Sequence, residues 1–153
     1  MSIFYYSSPV GILEIKSTES HITQLLFKES PKTSSENIPA VMKECIRQLD
    51  EYFSGNRKDF TLPLAPEGTT FQCSVWKALE TIPYGQTISY KELAERVENP
   101  KACRAVGTAN GRNPIAIIIP CHRVIAANGT LGGYAGGLDI KTILLKLEGI
   151  DRF

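Results

Sequence analysis

The hydrophobic pattern of this chain changes its period near residue 70, and this change constrains the fold more than any other feature. In the first 30 residues, apolar side chains alternate roughly in twos around a turn at Ser8-Pro9-Val10-Gly11, which predicts a small antiparallel meander. From Phe71 onward they recur every three or four positions, as at Val75 and Leu79, which is typical of amphipathic helices. A chain of 153 residues has room for two small lobes. We therefore predict an α/β N-terminal lobe followed by a mainly α C-terminal lobe.

The boundary between the lobes is predicted in the connector from residue 56 to residue 70. This segment contains Pro63, Pro66 and Gly68 and has no hydrophobic periodicity. An amphipathic helix that ends near Phe53 precedes it, because apolar residues from Val41 onward are spaced three and four apart. We place the N-terminal lobe with its connector at residues 1–65 and the C-terminal domain at residues 66–153.

The C-terminal domain is predicted to contain three short helices before an apolar strand. The first runs from Phe71 to Ile82, and the second runs from Ser89 to Val97 with a capping-box pattern. The third opens at Asn99-Pro100 and runs to about Asn110. The last two outline a helix-turn-helix, although short helix pairs are more often packing units. The apolar run from Ile115 to Ile119 predicts a strand.

Charge and cysteine content exclude several classes of protein. The net charge is only +1, but the window from Asn99 to Leu138 holds four basic residues and no acid, so a local positive field is available without a basic protein. The four cysteines are scattered without a Cys-x-x-Cys pair, which argues against a zinc finger. Neither a secretory signal nor an apolar run of about 20 residues is present. We expect that the protein does not contact a membrane. We also expect it to lie in the reducing cytoplasm of a prokaryote, where its thiols stay free.

One pair of residues suggests chemistry, namely Cys121 and His122, which follow the apolar run and Pro120. A thiol becomes a nucleophile when a base or a dipole favours its thiolate, and an adjacent His in a turn can supply that base. Glu148 in the last apolar helix could orient the His if that helix packs against the turn. Taken alone, the pair is more often a buried Cys beside a surface His.

The wider sequence around this pair resembles the O6-alkylguanine-DNA alkyltransferase family. The resemblance is carried by three blocks, Ile119-Pro120-Cys121-His122-Arg123-Val124-Ile125, Gly133-Tyr134-Ala135-Gly136-Gly137-Leu138 and Lys146-Leu147-Glu148-Gly149. It extends over essentially the whole chain and includes Ser8-Pro9-Val10-Gly11 in the first lobe. It implies an N-terminal lobe of ribonuclease H-like shape and a C-terminal lobe with a winged-helix-like helix-turn-helix that enters the minor groove of DNA.

The activity that the resemblance implies is DNA repair by direct reversal without a cofactor. A flipped O6-alkylguanine in double-stranded DNA would transfer its alkyl group once to Cys121, with O4-alkylthymine open as a second substrate. His122 is similar to the family's water-mediated base and Glu148 to its carboxylate partner. Asn113 matches the asparagine that supports the active-site turn, and Tyr90 the tyrosine that helps rotate the nucleotide and donates toward the base.

Further residues match DNA contacts of the family. Arg104 falls on the arginine that fills the gap in the base stack, a role that offsets part of the cost of flipping. Phosphate or structural contacts are expected from Lys101, Arg112 and Arg123, for each of which a solvated surface role is an equal alternative. We expect a monomer, with cooperative assembly on DNA left open.

The loop that closes on the flipped base corresponds to Tyr134, Ala135 and Gly136. Many relatives have Ser in place of Ala135, so the resemblance leaves the substrate range open. Some relatives also hold a structural zinc ion in the first lobe. Here only His21 and Cys45 could contribute ligands, so we expect no metal.

Three other functions are compatible with parts of the sequence. A relative that binds alkylated DNA without repair is the first, but such relatives lack the cysteine that stands here at position 121. A cysteine hydrolase leaves the helix-turn-helix unexplained. A transcription regulator leaves Cys121, His122 and Glu148 unexplained.

Overall fold

The structure of the chain is a computed structural model that describes residues 1–134 and 136–153. Ala135, one of the predicted loop residues, lies outside the described part. The chain divides into two compact units, Met1–Glu67 and Gly68–Phe153. No helix of the described residues is long and apolar enough to cross a membrane.

The first unit is a three-stranded antiparallel sheet with one helix. The strands are β1 (Ser2–Ser8), β2 (Gly11–Ser17) and β3 (Ile22–Lys28), in the order β1-β2-β3, and α1 (Ala40–Phe53) packs on them. Leu13, Ile15 and Leu25 from the sheet and Met42 and Leu49 from α1 have no exposed surface, so they form the core. The predicted meander and the amphipathic helix are therefore confirmed.

The connector is bound to the first unit at the edge of its sheet. The N–H of Ile22 donates to the carbonyl of Pro63 at 2.9 Å, and the N–H of Ala65 donates to the carbonyl of Ile22 at 2.8 Å. These bonds satisfy backbone groups on β3 that an edge strand would leave open.

The second unit contains four helices and a two-stranded parallel sheet within its described residues. The helices are α2 (Thr70–Leu79), α3 (Tyr90–Arg96), α4 (Cys103–Gly111) and α5 (Leu138–Leu147), and the sheet pairs β4 (Ile88–Ser89) with β5 (Val124–Ile125). A 3₁₀ turn, Cys121–Arg123, precedes β5. The indole N–H of Trp76 on α2 donates to the carbonyl of Ala109 on α4 at 2.9 Å, which fixes the helix that carries Arg104.

Two predicted boundaries of helices need correction. The first C-terminal helix ends at Leu79, because the N–H of Ile82 bonds to the carbonyl of Leu79 and closes a tighter turn. The third begins at Cys103, because the segment that starts at Asn99 first forms a turn, in which the N–H of Ala102 bonds to the carbonyl of Asn99.

The predicted strand from Ile115 to Ile119 is wrong, because this segment is a series of buried turns. Its backbone bonds to itself, with Ile118 N–H on Ala116 and Ile119 N–H on Ile115. Ile117 has a φ of +71°, which a β-branched residue rarely adopts and which costs about 1–3 kcal/mol. Complete burial explains the apolar run, and periodicity cannot distinguish a buried strand from a buried loop.

Candidate active site

The segment before the thiol is shaped by a buried side-chain amide, that of Asn113. Its amide nitrogen donates to the carbonyl of Ile119 at 2.7 Å, and its oxygen accepts from the N–H of Ile115 at 3.0 Å. One side chain thereby closes the loop that leads to Cys121. The N–H of Cys121 bonds to the carbonyl of Ile119 at 2.8 Å, so the start of the 3₁₀ turn is fixed as well.

Cys121 is buried, with 5% of the residue exposed, and polar groups surround its thiol. Burial raises the pKa of this thiol, because removal from water disfavours the thiolate. The side chains of Asn113 and Tyr134 and the charge of Lys141 act in the opposite direction and lower the pKa. The site therefore protects the thiol from solvent and keeps groups beside it that can stabilise its anion.

His122 and Glu148 form a buried pair next to the thiol. Nε2 of His122 lies 2.6 Å from Oε2 of Glu148, and neither side chain has any exposed surface. Burial lowers the pKa of His122, although Glu148 raises it in part. Burial also acts to raise the pKa of Glu148, but His122 and Arg123 outweigh it and hold that pKa at about 2. At neutral pH the pair is thus a neutral imidazole beside a carboxylate.

This pairing determines which nitrogen of His122 can act as a base. A carboxylate only accepts hydrogen bonds, so Nε2 carries the proton and Nδ1 holds the lone pair. Nδ1 is buried and has no hydrogen-bond partner among the described residues. The acceptor left open is therefore Nδ1, and an imidazolium formed there would be stabilised by the charge of Glu148.

Arg123 is buried and does not lie on the surface. Its Nε donates to Glu148 at 2.7 Å and its Nη1 donates to the carbonyl of Ile82 at 2.7 Å, while the guanidinium lies 5.7 Å from the centre of the Tyr84 ring. With 6% of the residue exposed, we replace the predicted phosphate contact by the structural alternative. Arg123 orients the carboxylate that orients His122.

Tyr90 is the first residue of α3 and packs against the glycine-rich segment that follows β5. The backbone N–H of Gly133 bonds to its hydroxyl and lowers the pKa of Tyr90, but burial has the larger effect and raises it. A Cβ on Gly132 would lie 3.0 Å from the hydroxyl oxygen of Tyr90. The phenol is therefore kept protonated, as a proton donor, and is held by close backbone contact.

Lys141 belongs to this site, although the sequence did not single it out as a functional residue. Its Nζ donates to the carbonyls of Val124 at 2.6 Å, Gly133 at 3.1 Å and Leu131, and the residue has no exposed surface. Burial lowers the pKa of Lys141 to about 8, while Cys121 acts to raise it. Its position three residues before the buried Leu144 was the available signal, because that spacing places it on the buried face of α5.

An open groove of about 550 Å³ lies beside Tyr90 on the surface of the second unit. It is lined by Tyr90, Cys103, Arg104, Gly107 and Gly133. Gly107 on α4 lies beside the tyrosine ring, and a Cβ there would make an ordinary van der Waals contact with it at 3.7 Å. The groove joins the predicted stack-filling arginine to the tyrosine of the site.

The remaining predicted residues differ in how far they are exposed to solvent. Lys101, Arg104 and Arg112 are exposed, Tyr134 and Gly136 are half-buried, and Ala135 lies outside the described residues. Within the described part of the chain, no three His, Cys, Asp or Glu side chains come together as a metal site would require. In the first unit, His21 is exposed whereas Cys45 is fully buried.

Comparisons with known proteins assign both units to one family. Residues 2–66 match the model described as 6-O-methylguanine DNA methyltransferase, ribonuclease-like domain, and residues 70–150 match the DNA binding domain of the same family. These matches agree with the ribonuclease H-like and helix-turn-helix lobes that the sequence predicts.

Individual relatives match along nearly the whole chain. The methylated-DNA–protein-cysteine methyltransferase of Methanosarcina acetivorans is 53% identical and aligns over 94% of this chain and 96% of its own. The constitutive enzyme of that name from Bacillus subtilis is 46% identical over 95% and 96%. The crystal structure of Mycobacterium tuberculosis OGT in complex with DNA superposes with a TM-score of 0.84, at 47% identity, over 94% of this chain and 90% of its own. The chain belongs to the 6-O-methylguanine DNA methyltransferase family.

Proposed function

We propose that this protein repairs DNA by transferring the alkyl group of O6-alkylguanine to Cys121, once per molecule. The observation that carries the proposal is the buried thiol beside an imidazole whose only open acceptor, within the described residues, is Nδ1. A nucleophilic cysteine needs such a base. The family and the DNA complex of the related OGT support DNA as the partner.

The alkylated base has to leave the duplex before it can reach a buried thiol. Flipping costs a few kcal/mol of stacking and pairing, which a side chain inserted in its place can offset. Arg104 is exposed and lines the same groove as Tyr90, so it can fill the stack while Tyr90 faces the extruded nucleotide. Lys101 and Arg112, both exposed near the two ends of α4, would contact phosphates.

The transfer step balances with the groups of this site. The thiol proton passes to His122, and the sulfur attacks the alkyl carbon as the bond from that carbon to O6 breaks. The electron pair stays on guanine, which takes a proton from the Tyr90 hydroxyl. The proton held by His122 then restores Tyr90, so that the products are S-alkylcysteine, guanine and the original acid–base groups.

The reaction ends there, because the Cys121 thiolate is a poor leaving group from the alkyl carbon and no group of the described site can displace it. The protein is thus consumed stoichiometrically and needs no cofactor. One unit, Gly68–Phe153, carries the thiol, the acid–base pair and the groove, so we propose that a monomer acts. A free thiol at position 121 suits the reducing cytoplasm.

A titration of damaged DNA with protein tests this function. A duplex oligonucleotide with one O6-methylguanine is incubated with increasing amounts of protein, and the guanine restored is measured after digestion to nucleosides. We expect a plateau of one guanine per protein molecule. Binding without restored guanine would support the binding-only alternative, and more than one guanine per protein would indicate turnover. A duplex with O4-methylthymine in the same assay defines the substrate range.

A further inference from the structure

Lys141 is a buried cation that the transfer step above does not use. A buried ammonium group must be matched by hydrogen-bond acceptors, because its desolvation costs several kcal/mol otherwise. Its three acceptors here are backbone carbonyls, one on β5 at Val124 and two in the glycine-rich segment at Leu131 and Gly133. One side chain of α5 therefore ties together two segments that are separate in sequence.

These two segments lead directly to the reacting groups. Val124 follows the 3₁₀ turn that carries Cys121 and His122. Gly133 offers its carbonyl to Lys141 and its N–H to the hydroxyl of Tyr90. The next residue, Tyr134, interacts with the sulfur of Cys121 and lowers the pKa of that thiol.

We propose that Lys141 is a positioning residue for alkyl transfer: it holds the segment Leu131–Tyr134 in the register that places the Tyr90 hydroxyl and the Tyr134 side chain relative to the acceptor thiol. The inference rests on the proposed function and adds a residue that contacts neither the base nor the DNA. A displacement of about 1 Å in such a site can cost about 10²-fold in rate, so loss of the anchor should slow the chemical step while leaving DNA binding intact. The positive charge of Lys141 near Cys121 acts in the same direction, because it favours the thiolate.

The variant Lys141→Met tests the anchor, because it keeps the length of the side chain and removes its charge and its hydrogen bonds. Lys146→Met is the matched control, since Lys146 is an exposed lysine on the same helix. Single-turnover transfer from a duplex with O6-methylguanine is measured with protein in excess, and it yields both a maximal rate and a half-saturating concentration. We expect Lys141→Met to lower the maximal rate about 10-fold or more, with half-saturation within twofold of wild type, and Lys146→Met to change neither.

A second pair of variants tests the same segment without altering the lysine. Gly132→Ala would press a methyl group against Tyr90, whereas Gly129→Ala meets no atom within 4 Å; both glycines have positive φ, at +71° and +87°. The cost of backbone strain is therefore similar, and the contact with Tyr90 is the difference. We expect Gly132→Ala to lower the maximal rate and Gly129→Ala to leave it near wild type. If Lys141→Met does not unfold cooperatively, and so is not properly folded, this pair of glycine variants tests the position of the segment instead.

The possible results separate this inference from the proposed function. If wild-type protein transfers and folded Lys141→Met transfers at the same maximal rate, the positioning role is overturned and the proposed function stands. Equal rates for Gly132→Ala and Gly129→Ala would also overturn it. A wild-type protein that transfers no alkyl group refutes the proposed function, and the positioning role with it.

Discussion

The two units each bury a cysteine, and the two thiols lie in very different surroundings. Cys45 on α1 has no exposed surface, and burial alone raises the pKa of its thiol to about 12. Cys121 is 5% exposed, and burial raises its pKa too, but Asn113, Lys141 and Tyr134 act against that effect. Burial by itself makes a thiol inert. What distinguishes Cys121 is the set of buried polar groups that surrounds it.

The buried glutamates of the two units also differ in what surrounds them. In the first unit, the buried carboxylate of Glu14 accepts from the hydroxyl of Tyr5 at 2.5 Å and lies 3.8 Å from Lys16, contacts that stabilise the sheet. In the second, Glu148 connects His122 and Arg123 next to the thiol. The first unit thus buries polar groups for structure, and the second buries them around a reactive group.

The largest expected effect comes from exchanging each buried cysteine for serine. Cys121→Ser should abolish alkyl transfer, because a serine hydroxyl is a far weaker nucleophile, while DNA binding persists. Cys45→Ser should leave transfer unchanged and lower the free energy of unfolding by about 1–3 kcal/mol, the cost of a buried hydroxyl without a partner. Transfer assays and urea denaturation measure the two effects. Residual transfer by Cys121→Ser would show that Cys121 is not the alkyl acceptor.

The second prediction concerns the two buried carboxylates. Glu148→Gln should lower the free energy of unfolding by about 3–5 kcal/mol, because it leaves the buried Arg123 without its counter-charge, and should slow transfer about 10²-fold as His122 loses its partner. Glu14→Gln keeps an acceptor for Tyr5, so it should cost about 1 kcal/mol or less and leave transfer unchanged. Equal effects of the two substitutions would contradict the contrast between the units.

The same carboxylate predicts a pH dependence of stability. The pKa of Glu148 in the folded protein is about 2, below its ordinary value of 4.5, so the unfolded chain binds the proton more tightly. The stability that Glu148 contributes is complete above pH 4.5 and is lost as the pH falls toward about 2. Urea denaturation between these pH values should show a steeper loss for wild type than for Glu148→Gln; parallel curves would argue against the ion pair.

The smallest effect is expected at the exposed face of the second unit. Arg104→Ala should slow transfer from duplex DNA by about 10-fold, because the gap left by the flipped base is not filled. It should slow transfer from single-stranded DNA less. Arg112→Ala should weaken binding slightly and equally for damaged and undamaged duplex, as loss of one phosphate contact does. Rates on the two kinds of DNA, measured for both variants, test the difference; an unchanged duplex rate for Arg104→Ala rules out stack filling.

The sequence predicts the elements whose patterns depend on local physics. The alternation around Ser8–Gly11 and the helical spacing from Val41 depend on one face being buried, and both predictions are confirmed by the sheet and α1. The segment Ile115–Ile119 is buried on all sides, and there the apolar pattern carries no period, so the strand prediction failed. Its turns depend on the hydrogen bonds of Asn113 and on a positive φ at Ile117, and the hydrophobic pattern predicts neither feature.

The sequence predicts the reacting residues of the site better than the buried residues that support them. Cys121, His122 and Glu148 were singled out from residue chemistry, and the structure brings His122 and Glu148 into contact. Lys141 and the buried place of Arg123 were missed, because Lys and Arg are usually exposed and their burial depends on partners distant in sequence. Thr69 and Gln72 form a capping box at the start of α2, and this helix start was not predicted although the Thr-x-x-Gln spacing indicates it.

The location of the transferred group tests the central claim most directly. Trypsin places the four cysteines in separate peptides, at residues 44–47, 59–77, 102–104 and 113–123. After reaction with a duplex that carries O6-methylguanine, mass spectrometry should find one methyl group on peptide 113–123 and none on the other three. A methyl group on Cys45, Cys73 or Cys103, or none on the Cys121 peptide of a protein that has restored guanine, would contradict the account.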